Sequence, residues 1–180
     1  LSSCLVNPRA FHETELNYIP TSLKKNIAVV CAGPAGMAFA SIAAERGHMV
    51  TLFEAEKEIG GQFNMAKKIP GKEEFYETLR YYKKQLELHK VDVQLNKRVS
   101  TDDLKTFDEV VVATGISPRH LEIDGITHPK VISYIDVLKN GVEVGKRVAV
   151  IGAGGIGFDV SEFLTTTNST TVDREEWIPR

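Results

Sequence analysis

The feature that most constrains the fold of this chain is a glycine-rich turn that occurs twice, each time between a short apolar run and a helical pattern. The first copy begins at Cys31 and the second at Gly152, 121 residues apart. Residues 27–30 and 146–151, which precede the turns, are rich in β-branched residues, as is typical of strands buried on both faces. A strand, a glycine turn and a helix begin a βαβ unit with a right-handed crossover. The sequence therefore predicts an α/β fold: a Rossmann-like doubly wound parallel sheet, with the start of a second nucleotide-binding unit.

Hydrophobic periodicity assigns the elements around these turns. Apolar residues recur every three or four positions in the predicted helices, and the first of these should end at Gly47. We predict helices over residues 37–46, 71–90, 134–138 and from the second turn to residue 164, and strands over residues 27–30, 49–53, 91–95 (edge or half-buried), 109–115 (buried) and 146–151.

Composition excludes several classes of function. Among 180 residues, 42% are hydrophobic and 26% are charged, as in ordinary globular domains. The net charge of −2 gives no reason to expect nucleic acid or an anionic membrane as a partner. No apolar run approaches the roughly 18 residues of a spanning helix. Two cysteines, Cys4 and Cys31, cannot form a disulfide framework, so we expect a reducing, cytoplasmic location.

The order of these segments predicts the domain organisation. The chain opens Leu1-Ser2-Ser3-Cys4 without an initiator Met or signal peptide, so we expect it to start inside a longer polypeptide. The expected segments are an approach segment (1–25), a first nucleotide-binding Rossmann-like domain (26–120), a connector (121–145) and the truncated start of a second nucleotide-binding domain (146–180).

The first turn has the chemistry of a pyrophosphate site. A G-x-G-x-x-G turn brings the backbone close to a pyrophosphate and places its charge at a helix N-terminus. Gly33 and Gly36 occupy the second and third glycine positions, and Cys31 occupies the first. A side chain there costs about 1–2 kcal/mol if φ is positive and little if the backbone is extended. Without a Cys-x-x-Cys pattern, we expect Cys31 to be a small structural residue.

An acidic residue supports the first turn. Glu54 follows the second strand, 18 residues after Gly36, where a carboxylate can accept hydrogen bonds from the adenosine ribose. The alternative is a surface carboxylate at a strand end. A ribose-binding acid disfavours a 2′-phosphate, so this site should prefer FAD, NAD or ADP to NADP.

The second turn keeps all its glycines, Gly152, Gly154, Gly155 and Gly157, but only residues 158–180 follow it. A complete nicotinamide-binding domain needs further βα units. No ribose-binding residue can therefore be assigned after this turn.

The intervening motifs resemble a known family. Two dinucleotide turns separated by Glu54, Gly60-Gly61-Gln62 and Ala113-Thr114-Gly115 resemble the two-dinucleotide-binding flavoproteins. More narrowly, residues 3–10, 59–82, 123–125 and 128–131 resemble the bacterial NADPH-dependent 2,4-dienoyl-CoA reductases of fatty acid β-oxidation.

This resemblance implies a chain of electron carriers. In that family, NADPH reduces FAD, and electrons then pass through a four-iron–four-sulfur cluster to FMN in an N-terminal barrel. The resemblance implies that residues 26–120 are a FAD-binding domain and residues 146–180 the truncated start of an NAD(P)H-binding domain. The chain would be the FAD-binding middle of such an enzyme, with the barrel and nicotinamide domains of the same polypeptide as its partners. Cys4 matches the last cluster ligand, but the other three cysteines lie upstream, so the cluster requires a longer chain and the fragment alone should be inactive.

The resemblance also implies cofactor contacts, with no catalytic side chain. For Gly60-Gly61-Gln62 the alternative is a plain loop turn, and for Val99 it is a core valine. The implied FAD contacts are Ala32, Gly33, Pro34, Ala35 and Gly36 (pyrophosphate), Glu54 (ribose), Gly61 and Gln62 (ribityl and flavin end), Val99 (adenine) and Ala113, Thr114 and Gly115 (along the cofactor), while Gly152, Gly154, Gly155 and Gly157 would meet NADPH.

Two other functions remain open. The chain could be an ADP- or dinucleotide-binding module without redox activity, or an interaction domain whose Rossmann core binds no nucleotide. Affinities for FAD and ADP distinguish the three.

Overall fold

The computed structural model describes Cys4, Asn7 and residues 9–119, 121–167 and 169. The chain forms two compact units, the first from Leu1–Gly61 and Thr78–Gly115 and the second from Gln62–Glu77 and Ile116–Arg180. Part of the predicted approach segment, residue 120 of the predicted FAD-binding domain, and residues 168 and 170–180 of the predicted NAD(P)H-binding start lie outside the described residues.

A parallel four-stranded sheet is the centre of the first unit. Its strands are β1 (Asn26–Val30), β2 (Met49–Phe53), β3 (Asp92–Gln94) and β4 (Glu109–Val112), in the order β3-β2-β1-β4. Val30 pairs with both Phe53 and Val112, so three strands end at the same level. The chain order reverses between β1 and β4, which is where open α/β sheets bind ligands. The predicted Rossmann-like α/β fold is confirmed.

Two helices build the core of the first unit with this sheet. Helix α1 (Pro34–Glu45) is made mostly of small and apolar residues, and its Met37 and Ala40 are fully buried. Gly47, with φ +99°, follows the end of α1 as predicted. Helix α3 (Glu74–Leu88) contributes Tyr82 and Leu86, which lie four residues apart and are both buried.

The second unit is helical in its described part. It contains α2 (Phe63–Ala66), α4 (Tyr134–Leu138) and α5 (Gly155–Thr165). Helix α2 was not predicted, whereas α4 was, and a capping box between Ser133 and Asp136 fixes its start. Ile69, Leu138 and Val160 form a small core.

Two predicted strands differ from the structure. Residues 146–151 form no strand, and Ile151 is 75% exposed, because no strand among the described residues pairs with them. The predicted buried strand 109–115 is shorter and mostly exposed: Val111 packs against the core, while Val112 is 69% exposed. The reason is that β4 lies at an edge of the sheet. The predicted edge position of β3 is confirmed.

Candidate dinucleotide-binding site

The first glycine turn links β1 to α1 through two glycines with different requirements. A Cβ at Gly36 would lie 1.9 Å from the carbonyl oxygen of Cys31, so only glycine lets the helix pack this close to the strand. A Cβ at Gly33 would meet no atom within 4 Å. Gly33 is the N-cap of α1, and Pro34 follows it at the start of the helix. The open side of Gly33 and the unpaired N–H groups of a helix N-terminus suit a pyrophosphate.

Cys31 has a positive φ, which is the strained one of its two possible backbone conformations. Its φ is +84°, so the side chain costs about 1–2 kcal/mol relative to glycine. The backbone N–H of Cys31 donates to the Phe53 carbonyl at 2.8 Å, which ties the turn to the end of β2. Burial raises the pKa of the Cys31 thiol, as does the nearby Glu54 carboxylate, and a backbone hydrogen bond from Gly33 partly offsets both. The thiol is therefore protonated at neutral pH.

Glu54 is a buried residue, so the alternative of a surface carboxylate is wrong. Its side chain is only 4% exposed. Oε2 accepts a hydrogen bond from the Ala32 N–H at 2.8 Å, and Oε1 accepts one from the Glu56 N–H at 3.0 Å. A buried carboxylate is tolerated only with such donors. These bonds fix the predicted ribose-binding acid directly beside the glycine turn.

Two further segments of the first unit lie against the turn. The Gly60 N–H donates to the Ala32 carbonyl at 2.8 Å, and a Cβ at Gly61 would approach the Gly33 Cα to 3.0 Å. After β4, the Ala113 N–H donates to the Val30 carbonyl at 3.0 Å. The ends of β1, β2 and β4 and the loop at Gly60 thus meet at one place.

The remaining predicted contacts are less clearly grouped. Ala35 is exposed in the first turn of α1, and Thr114 and Gly115 continue exposed from Ala113. Val99 is half-buried, which leaves its two alternatives open. Gln62 belongs to the second unit, where its amide donates to the Ile116 carbonyl at 3.3 Å.

Sequence reasoning did not assign the backbone donors of Glu56 and Gly60. Glu56 lies just beyond the strand-end acid, and Gly60 has φ +120°. The glycine pair at residues 60–61 was the available signal for the Gly60 donor. The Glu56 donor had no such signal, because its backbone N–H does not depend on the side chain at that position.

The second turn repeats the geometry of the first. Gly152 has φ +116°, and Gly154 is an extended N-cap. A Cβ at Gly157 would lie 2.2 Å from the Gly152 carbonyl oxygen. The Lys72 ammonium contacts both carboxylate oxygens of Asp159 on α5, at 2.6 and 2.7 Å. This turn therefore forms although no strand precedes it.

The described residues do not fit an iron–sulfur cluster. Cys4 is exposed, and among these residues no group of three or more His, Cys, Asp or Glu side chains is placed to hold a metal ion. No helix of the described part has both the length and the apolar character needed to cross a membrane.

A parallel sheet with a glycine turn after β1, an acid after β2 and a reversal of strand order between β1 and β4 defines a dinucleotide-binding α/β domain. The model of the family described as pyridine nucleotide-disulphide oxidoreductase matches residues 25–179. The chain belongs to this family and is a flavin- and dinucleotide-binding module of oxidoreductases.

Similar proteins are longer reductases. The metal reductase of Desulforamulus reducens is 34% identical over 179 residues, which are 96% of this chain and 26% of that protein. The cinnamate reductase of Clostridium sporogenes is 37% identical over 169 residues, 90% of this chain and 24% of that protein. The solved complex of a 2-naphthoyl-CoA reductase with 2-naphthoyl-CoA matches with a TM-score of 0.85 and 37% identity, over 90% of this chain and 25% of that chain. The chain thus spans about a quarter of the length of these relatives.

Proposed function

We propose that this chain is the FAD-binding electron-transfer module of an NADPH-dependent oxidoreductase similar to 2,4-dienoyl-CoA reductase. The observation that carries the proposal is the buried Glu54 carboxylate bonded to the turn residue Ala32. This arrangement would join a ribose acceptor to a pyrophosphate site, which recognise adjacent parts of one adenine dinucleotide.

The residues of the first unit divide the work of binding FAD. The N-terminus of α1 would receive the pyrophosphate over Gly33, where no side chain stands. Glu54 would accept hydrogen bonds from the ribose hydroxyls, and Ala113 would lie along the cofactor beside the end of β1. When bound, FAD supplies hydride acceptance and stepwise release of electrons.

The longer enzyme would supply the rest of the electron path. The second turn, from Gly152 to Gly157, would bind the pyrophosphate of NADPH at the start of α5. Cys4 alone cannot hold the four-iron–four-sulfur cluster that the resemblance implies, so the cluster and FMN would belong to the longer polypeptide. The similarity to a reductase of 2-naphthoyl-CoA supports an acyl-CoA substrate.

A module that binds ADP or a dinucleotide without redox activity is the second candidate. It is favoured by the position of the best-defined contacts. The glycine turn and Glu54, in the first unit, would hold only the pyrophosphate and adenosine, whereas Gln62, implied for the flavin end, lies in the second unit.

Titration of the purified chain with FAD and with ADP tests the proposal. A flavin absorption band that stays with the protein through gel filtration, and FAD binding tighter than ADP binding, support the FAD module. Equal affinities support the second candidate, and no binding of either refutes both.

Variants of Glu54 locate the site. Because a hydrogen bond to a charged group contributes about 1.5–3 kcal/mol, Glu54→Gln should weaken ADP binding by about tenfold to a hundredfold while keeping an acceptor for the Ala32 N–H. Glu58→Ala, on the exposed part of the same loop, is the control and should bind normally. Unchanged affinity in Glu54→Gln removes this residue from the site.

A further inference from the structure

The two glycine turns differ at their first position. Cys31 and Gly152 both have positive φ, +84° and +116°, a region that disfavours a side chain. Gly152 adopts this conformation without strain because it has no side chain, whereas Cys31 adopts it with one. The contacts of the Cys31 side chain therefore indicate what it does in the first turn.

The Cys31 side chain contacts the acid of the site. Its Sγ lies 3.5 Å from Oε2 of Glu54, within hydrogen-bond range for sulfur. The same oxygen accepts the Ala32 N–H. Since burial raises the thiol pKa, sulfur retains its proton and can donate it. A glycine at this position would keep the backbone donor of Ala32 and lose the thiol donor.

We propose that Cys31 is a positioning residue whose S–H donates to Oε2 of Glu54 and orients the carboxylate for the ribose of a bound adenine nucleotide. This inference rests on the proposed function. With Oε2 held by two donors from the turn, the carboxylate cannot rotate freely. Oε1, which accepts the Glu56 N–H, keeps a second lone pair for a ribose hydroxyl.

Binding of ADP and 2′-deoxy-ADP to position-31 variants tests this role. Because Cys31→Ala keeps a Cβ in the same conformation and removes only the donor, it should weaken ADP binding about threefold to tenfold. Cys31→Ser, which keeps a donor, should restore most of the affinity. The loss should be smaller for 2′-deoxy-ADP and absent when Glu54→Ala is already present. Full affinity in Cys31→Ala, or an equal loss in the Glu54→Ala background, overturns the inference.

The infrared S–H stretching band gives a readout that needs no ligand. In a Cys4→Ser background, Cys31 is the sole thiol of the sequence. Its band should lie at lower wavenumber than in the same protein carrying Glu54→Ala, because a bond to a carboxylate weakens the S–H stretch. An unshifted band in a protein that binds ADP normally refutes the role of Cys31 but leaves the proposed function standing. A shifted band in a protein that binds neither ADP nor FAD refutes the proposed function and, with it, the ribose half of this inference.

Discussion

Gly36 is required for the packing of the fold, whereas Gly33 is expected to be required for binding of the ligand. A Cβ at Gly36 would lie 1.9 Å from the Cys31 carbonyl oxygen and 3.1 Å from its carbonyl carbon, and backbone atoms cannot rotate away. Gly36→Ala must therefore push α1 off the end of β1. We expect a loss of about 3 kcal/mol in the free energy of unfolding, the upper range for overpacking. In a chain of this length, that loss lowers Tm by about 6–12 °C.

Gly33→Ala is the matched control. Gly33 has φ −71° and ψ −179°, which alanine adopts readily, and its Cβ would meet no atom within 4 Å. Such a replacement typically adds about 0.4–1 kcal/mol of stability by restricting the unfolded chain. The new methyl group would nevertheless occupy the space over which a pyrophosphate approaches, so ADP and FAD should bind at least about tenfold more weakly.

Thermal unfolding followed by far-UV circular dichroism, together with ADP titration, measures both effects. The reasoning requires opposite patterns: Gly36→Ala unstable, and Gly33→Ala stable but deficient in binding. It is refuted if Gly36→Ala has the same Tm as the wild type, or if Gly33→Ala loses as much stability as Gly36→Ala.

Three further predictions concern single contacts. The Lys72–Asp159 ion pair is partly exposed, with 38% and 28% of the two side chains accessible. A double-mutant cycle with Lys72→Met and Asp159→Asn, measured by urea unfolding, should therefore give a coupling energy of about 0.2–1 kcal/mol. Zero coupling would show that the pair does not stabilise α5. Ile69 is 1% exposed, so Ile69→Ala should lower the free energy of unfolding by about 2–5 kcal/mol. Amide hydrogen exchange should become faster in α4 and α5 but not in β1, which belongs to the other unit. Equal acceleration in β1 would contradict the division into two units. Hydrogen bonds from the Ser100 N–H and hydroxyl, with Lys97, lower the pKa of Asp103 from 3.8 to about 2. Because the folded pKa is the lower one, the stabilisation is fully present above pH 3.8 and is lost as the pH falls through about 2. Asp103→Asn should therefore be less stable than the wild type at neutral pH, and in acid unfolding curves this difference should shrink as the pH falls through about 2. A difference that stays constant with pH would contradict the assignment.

Elements with a local signal could be predicted from the sequence. Helix α4 is confirmed over Tyr134–Leu138 because Ser133 and Asp136, three residues apart, cap its start by themselves. The second glycine turn likewise forms from its own glycines. Residues 146–151 have the composition of a strand, but a strand also needs a neighbour to accept its hydrogen bonds, and local composition carries no information about that neighbour.

The candidate site could be predicted in outline but not in its contacts. The spacing of Glu54 from the turn placed it at the end of the second strand. That it bonds to Ala32 and Cys31 depends on the register of β1 with β2, in which Val30 pairs with Phe53. The positive φ of Cys31 could not be chosen from the sequence either, because the turn pattern and the identity of the side chain favour different conformations.

The order of strands in the sheet has a consequence for how the chain folds. Ile27 of β1 pairs with Val50 of β2 across 23 residues, but with Glu109 of β4 across 82. Closing the longer loop costs about 1 kcal/mol more in chain entropy, so β4 should join the sheet last. Ala113 follows β4, and its N–H donates to the Val30 carbonyl at the end of β1, next to the glycine turn. We therefore expect the cofactor contact implied for Ala113 to form after the glycine turn and Glu54 have come together between β1 and β2.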